Sequence, residues 1–460
     1  MLKIDPEQLE TADLKDVLQY LIEKHAPLQV KASKLQAYYE GQHDILTRTM
    51  ADTTKPNNKL VNNLAAYITD TISGYFMGKP IAYSTKEDAY FETVNDILDY
   101  NDEQDHNAEL AKSQSIKGCG YELLYMDEDA KVRFAELPRE NVIYVETDDV
   151  ATEPVIAVRI YEIDQILGGK KLFYEVYTDE EIVTYETVID EEQKKSLVEI
   201  DRLQHYFGGV PVVAYPNNKE LMGDFEGVIS LIDAYNRTQS DTANDFEYFT
   251  DAYLMLTGVE FDAKDIKLMK ENRTISLPDK ECDAGWLIKT INDVAIENYK
   301  DRLRKDIHAL SKTPNLTDEN FSGDLSGVAI SYKIWGLEQI ASMKERKFKR
   351  ALQRRLELIT NILNKEGNNW DWRDIDITFS RNMPQNLVEI VDAVSKLKGI
   401  VSDLTLLAQL PFVTDPQEEL DRITEQNEAA IDLDAVDTEE TTETEVATLP
   451  DEEVGTEADA

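Results

Sequence analysis

At 460 residues, 42% hydrophobic and with 22 Tyr, the chain has material for two or more structural units, since one core rarely grows beyond about 250–300 residues. Acids outnumber bases 91 to 48, for a net charge of −43; residues 431–460 hold twelve Asp or Glu and no Lys or Arg, so residues 1–430 still carry −31. That balance argues against a free nucleic-acid-binding domain, whose phosphate contacts rest on Lys and Arg, and leaves two readings: colloidal repulsion, or a surface that faces a polyanion without holding it.

Cys119 and Cys282 lie far apart without metal-ligand spacing, which suits a reducing compartment and argues against a disulfide framework. MLKIDPEQLE lacks the basic and apolar regions of a signal peptide, and no apolar run approaches eighteen residues, so no membrane association is expected.

Residues 7–118 read as helical. Leu9, Leu14, Leu18, Leu21 and Ile22 fall at helical spacing, and Pro27 is expected to separate them from a second segment ending at Gly41. After a polar loop around Pro56, the stripe Leu60, Leu64, Tyr67, Ile68, Ile72, Phe76 predicts a helix that stops at Gly78 and Pro80. An acidic helical stretch then spans 88–117. The period changes after Gly120: YELLYM and KVRFAEL flank the turn DEDA as a hairpin, and NVIYVET, PVIAVRIYEI, KLFYEVYT and EIVTYETVI alternate like strands. Residues 120–215 are therefore expected to be mostly antiparallel sheet.

From Asp224 to about Leu256 the pattern predicts a helix of roughly thirty residues, about 50 Å long. Its ends are apolar, but its middle, NRTQSDTAND, is polar all round, which suggests a helix bridging two units or packing against copies of itself. A small module follows at 258–292, with a short helix and strand-like TISL and WLIKTI. A helix with Ile296, Tyr299, Leu303, Ile307 and Leu310 on one face then ends at Thr313–Pro314. The Gly/Ser/Asn-rich loop Ser311–Gly327 reads either as a connector or as a functional segment. A long helix from Val328 to Lys365, the strand IDITFSR and helices at 385–410 and 416–429 complete the ordered part; the acidic tail should be disordered.

Catalytic signals are poor. GYFMGKP has the wrong spacing for a phosphate loop, and Pro80 stands where Ser or Thr is needed. DEDAKVRFAELP lacks the central Gly of a calcium loop, and the five His are scattered, so no catalytic residue, metal site or cofactor is expected. One cluster stands out: Lys344–Arg355 holds seven bases (Lys344, Arg346, Lys347, Lys349, Arg350, Arg354, Arg355) and one acid. It reads either as a helix face paired with neighbouring acids or as a contact with phosphate or an acidic partner face.

The ordered set YYEGQHDIL (38–46), KPNNKLVNNLAAYITDTISGYFMGKPI (55–81), EGVISLIDAYNRTQSDTANDFEYF (226–249), SGVAISYKIWGLE (326–338) and ITFSRNMPQN (377–386) resembles portal (head–tail connector) proteins of tailed double-stranded DNA phages, of the type found in phages of Gram-positive hosts. The resemblance covers about residues 30–425. It implies an α+β, mainly α, portal architecture: a wing at 1–222 (helical 1–118, β-rich 120–215), a first stem helix at 223–257, and a small α/β clip at 258–291. A second stem helix would lie at 292–311, the tunnel loop at 312–329, a connecting helix and strand at 330–384, the crown at 385–429 and the acidic tail at 430–460.

The resemblance further implies a structural protein of the virion, assembled in the host cytoplasm as a homo-oligomeric ring of typically about twelve subunits. Double-stranded DNA would pass through its channel, and the terminase large subunit, a head–tail adaptor and the major capsid and scaffold proteins would be partners. Lys312, Asn315, Asp318, Glu319, Asn320, Ser322, Asp324 and Ser326 are then expected near DNA, with the three acids as repellers. Competing readings are a capsid scaffold or adaptor and a packaging-associated enzyme.

Overall fold

A computed structural model describes residues 1–426 except 54, 167, 190–194, 250–252, 259–261, 263, 265, 266, 268, 270, 272–281, 288–292, 317–326, 366, 383–386, 411, 414, 415 and 418. The chain divides into two compact units, Met1–Asn382 and Met383–Ala460. The larger is a mixed α+β unit with long helices and antiparallel sheets.

Its N-terminal helical part holds α1 (Pro6–Thr11), α2 (Leu14–Tyr39), α3 (Leu64–Met77), α4 (Asp88–Tyr100) and α5 (Glu103–Lys117). Asp13 caps α2 by accepting the Lys15 N–H at 3.1 Å. Contrary to the expected break, Pro27 lies inside this helix. A proline in a helix interior costs roughly 3 kcal/mol. Here it is exposed, while Leu18, Leu21, Ala32, Leu35 and Tyr38 are buried on either side. Each large apolar side chain there contributes about 1.5–3 kcal/mol, so the flanking burial outweighs the lost bond.

Ten strands precede the next helix: β1 (Leu2–Ile4), β2 (Ala82–Ser84), β3 (Cys119–Met126), β4 (Val132–Leu137), β5 (Val142–Thr147), β6 (Pro154–Asp164), β7 (Lys170–Tyr177), β8 (Glu181–Ile189), β9 (Lys195–Gln204) and β10 (Val212–Pro216). The hairpin around DEDA forms as expected, with Tyr121 opposite Leu137 and Met126 opposite Val132. It belongs to a separate three-stranded sheet, β10-β3-β4; six of the others form a second sheet, β1-β5-β6-β7-β8-β9, while β2 pairs antiparallel with Asp376–Thr378. In the six-stranded sheet β1 pairs parallel to β5, which the alternation of residues 120–215 gave no reason to expect. In β5, Ile143 and Val145 pack with Leu18 and Leu21, whereas Val142 and Tyr144 pack with Cys119, Tyr121 and Val212. Both faces of that strand are buried, which is why VIYV reads as a continuous apolar run.

The remaining elements are α6 (Ile229–Phe249), β11 (Tyr253–Thr257), β12 (Asp283–Leu287), α7 (Asp293–Ser311), α8 (Gly327–Lys333), α9 (Trp335–Lys365) and β13 (Asp376–Thr378). The expected helix to Leu256 stops at Phe249; Tyr253–Thr257 instead pairs antiparallel with Asp283–Leu287. Its Tyr-Leu-Met-Leu-Thr run satisfies strand chemistry as well as helix chemistry, and cross-strand partners decide. TISL lies outside the described residues. In the smaller unit, the helix expected over 385–410 is two, α10 (Leu387–Leu397) and α11 (Asp403–Leu407). Gly399 (φ 83°) lies between them in the left-handed region, where an α-helix does not continue. Helix also occurs at 416, 417 and 419–426; the tail beyond lies outside the described residues.

Candidate nucleic-acid interface

The polar middle of α6 is not bare. Asn236, Ser240 and Asn244 recur at four-residue spacing on one face and accept the backbone N–H groups of Asn62 (2.8 Å), Leu60 (2.9 Å) and Asn58 (2.7 Å). Alternate residues of an extended chain advance about 6.6 Å. One four-residue step of a helix advances about 6 Å, so the segment 58–62 runs along α6 in register. Arg48 adds an ion pair to Asp241 at 2.6 Å, and Asn236 donates to His43 Nδ1 at 2.8 Å. The chain itself therefore supplies the partners that the sequence led one to seek in another unit.

Helix α7 packs on α6 through buried Leu303 and Ile307; Tyr299 and Leu310, expected on the same buried stripe, are exposed. It ends at Ser311, after which Lys312 takes a left-handed conformation (φ 55°). The turn that follows is pinned to α3. Tyr67 donates its hydroxyl to the Pro314 carbonyl at 2.9 Å and accepts the Leu316 N–H at 2.9 Å, and His308 Nδ1 binds the Thr313 carbonyl at 3.1 Å. Gly336 eases the close approach of α9, since a Cβ there would meet the Lys312 Cβ at a tight 3.2 Å.

These elements enclose an open groove of about 550 Å³ lined by Asp301, Arg304, Lys305, His308, Lys312, Asn315 and Lys333 among others. Arg304, Lys305 and Lys312 are exposed and have no ion-pair partner among the described residues. Of the residues expected near DNA, the structure brings Lys312 and Asn315 into this groove. Asp318, Glu319, Asn320, Ser322, Asp324 and Ser326 lie outside the described residues. Sequence reasoning missed Arg304, Lys305 and Lys333. The first two were within reach, because Asp301, Arg304/Lys305, His308 and Lys312 follow one helical face.

The basic cluster of α9 splits in two. Lys344 is 1% exposed and binds Asp224 at 2.6 Å; Asp224 also accepts Ser115 Oγ (2.6 Å) and Asn217 Nδ2 (2.7 Å). Burial lowers the Lys344 ammonium, against the raising effect of Asp224. Arg355, also 1% exposed, binds Glu122 at 2.6 Å, Glu103 at 3.0 Å and Asn107 Oδ1 at 2.9 Å. Burial pushes the Glu122 carboxyl up, but Arg355 and His106 (2.8 Å) outweigh it and hold it lowered to about 2. Neither Lys344 nor Arg355 is at the surface of the chain, so both leave the set of candidate phosphate or partner contacts: their charges are compensated internally. Lys349 donates to the Ile377 carbonyl (2.9 Å), and Arg354 pairs with Glu357 (2.8 Å). Arg346 and Arg350 are exposed, Lys347 is half-buried, and none of the three has an ion-pair partner among the described residues.

Among the described residues no cluster of His, Cys, Asp or Glu is arranged to hold a metal, and no helix is long and apolar enough to cross a membrane. What remains is a scaffold of long packed helices with a basic groove on an acidic body. The family model for phage portal proteins of the SPP1 Gp6-like type matches residues 18–433. The chain belongs to that portal family. The portal protein of Bacillus phage SPP1 is 28% identical over 441 residues, covering 89% of this chain and 86% of that relative. The portal protein of Clostridium phage phiCD119 is 24% identical over 425 residues, covering 86% and 93%. The function is that of a phage portal, a structural role, and both relatives come from phages of Gram-positive hosts.

Proposed function

We propose that this portal assembles as a ring of about twelve subunits at one capsid vertex, with α6 and α7 as its stem and the groove beside Lys312 turned toward DNA in the channel. In this reading residues 1–222 form the wing, 258–291 the clip that docks the terminase and later the head–tail adaptor, and the smaller unit the crown. The observation that carries it is the groove: three unpartnered cations at the end of α7, where the chain enters the segment 317–326, on a chain of net charge −43.

A channel must pass DNA without holding it. Each cation placed on phosphate adds affinity through counterion release, so a few cations among many acids give a weak and readily broken contact. Glu319, Asp318 and Asp324 would repel, and Asn320, Ser322 and Ser326 would offer neutral polar contacts beside Lys312 and Asn315.

The test is DNA packaging by particles carrying Arg304→Gln, Lys305→Gln and Lys312→Gln together. Rings should form as in the unsubstituted protein, with packaged DNA reduced about tenfold. Deleting residues 318–324 should likewise spare assembly and block packaging. Normal packaging by both variants would remove the groove and its loop from the channel.

A further inference from the structure

A closed ring joins neighbours head to tail, so every subunit must carry two different and complementary faces. Copies of a chain with net charge −43 repel one another, and at physiological salt screening acts over about 8 Å, so local pairing must offset that repulsion at the contact itself. The cations of the α9 surface and an acidic pocket between α4 and α5 suit each other for this.

The pocket has a volume of about 510 Å³ and a mixed lining: Phe91 and Leu98 on its apolar side, and the exposed carboxylates Asp99, Asp102 and Asp105, which have no ion-pair partner among the described residues. Glu103 also lines it. Its side chain is 2% exposed, and while its Oε1 is held by Arg355, its buried Oε2 has no hydrogen-bond partner among the described residues. A concave site with apolar walls, a carboxylate rim and a buried acceptor lacking a donor fits a long cationic side chain, whose methylenes pack on the walls while its head meets the acids. No metal-ligating geometry occurs there among the described residues, so a side chain fits better than an ion.

Arg346 and Arg350 fall at positions i and i+4 of α9 and project from the face opposite the one that buries Lys344, Phe348 and Leu352, with the half-buried Lys347 at the edge between the two faces. They stand on the outside of a helix and line neither groove. The groove of Arg304, Lys305 and Lys312 is concave and cannot enter another concavity, which separates the roles of the two basic regions. We propose that Arg346, Lys347 and Arg350 of one subunit dock on the Asp99–Asp102–Asp105 pocket of the next copy in the ring. This deepens the portal reading and rests on ring assembly.

The experiment uses two full-length variants, one with Arg346→Glu and Arg350→Glu, the other with Asp99→Lys and Asp105→Lys, followed by negative-stain imaging and native mass measurement. Each alone should keep its circular dichroism and melting temperature but need about tenfold more protein to form rings, because like charges then meet at every contact. Mixed in equal amounts, the two should restore rings at the unsubstituted concentration, since alternating subunits bring opposite charges together at every contact. Rings formed normally by either variant alone, or a mixture that stays dispersed, would overturn the pairing. Intact rings of the Arg346→Glu, Arg350→Glu variant with lost DNA packaging would overturn it too and give these cations to nucleic acid. Absence of rings from the unsubstituted protein would contradict ring assembly itself.

Discussion

Two basic regions of this acidic chain put their charge to opposite uses. In α9, Arg355 and Lys344 reach inward from a helix face and each meets buried carboxylates. At the end of α7, Arg304, Lys305 and Lys312 face an open groove and form no ion pair among the described residues. Residue type does not separate the two groups. Burial does, because a buried charge must be paired, whereas an exposed one keeps its hydration and stays available to a partner. The comparison therefore predicts large stability effects and little direct functional effect in the first region, and the reverse in the second.

The largest effect should come from Arg355→Leu, which removes the cation shared by two buried carboxylates, leaving Glu122 with only His106 and the Tyr215 hydroxyl and Glu103 with no cation among the described residues. Stability should fall by about 5 kcal/mol, read by denaturant unfolding. Lys344→Met strands Asp224, which keeps Ser115 and Asn217 as donors, so a smaller loss of about 3 kcal/mol is expected from the same measurement. A third prediction concerns pH. Glu122 is held at about 2 against an ordinary 4.5, so its stabilising contribution is complete above 4.5 and disappears as pH falls through about 2. Glu122→Gln should flatten the acid side of the stability curve in that window. An unchanged slope would show that another group governs it.

Asn236→Ala removes the acceptor of the Asn62 N–H and the donor to His43, and should cost about 1–3 kcal/mol by thermal unfolding. The smallest change belongs to the groove: Arg304→Gln and Lys305→Gln should each shift stability by less than about 0.5 kcal/mol. A loss of several kcal/mol at either would erase the distinction between the two regions.

The sequence made the local elements legible and the long-range ones only partly so. The hairpin at DEDA, the four alternating strands and the stop of α3 at Gly78 all depend on neighbours within a few residues. Pro27 and Tyr253–Thr257 misled because tertiary partners, the buried face of α2 and the strand at Asp283–Leu287, override local preference. The partners of Arg355 lie 233 and 252 residues away, so no linear pattern reveals that this arginine is buried. The inward and outward faces of Lys344–Arg355 could have been separated by helical projection, since Lys344, Phe348, Leu352 and Arg355 share one side, Arg346 and Arg350 the opposite one, and Lys347 falls between. Lys312 and Asn315 were singled out through the resemblance to portal proteins, and the structure places both in one groove. Lys333, which joins the groove from α8, left no signal of its own.

Ring assembly is the premise on which the channel and the subunit contact both depend, and native mass measurement of the purified full-length chain tests it most directly. The account predicts a closed species near 630 kDa, about twelve copies of 52.5 kDa, with a central hole in electron micrographs. A single species of 52.5 kDa that persists at high protein concentration would contradict it.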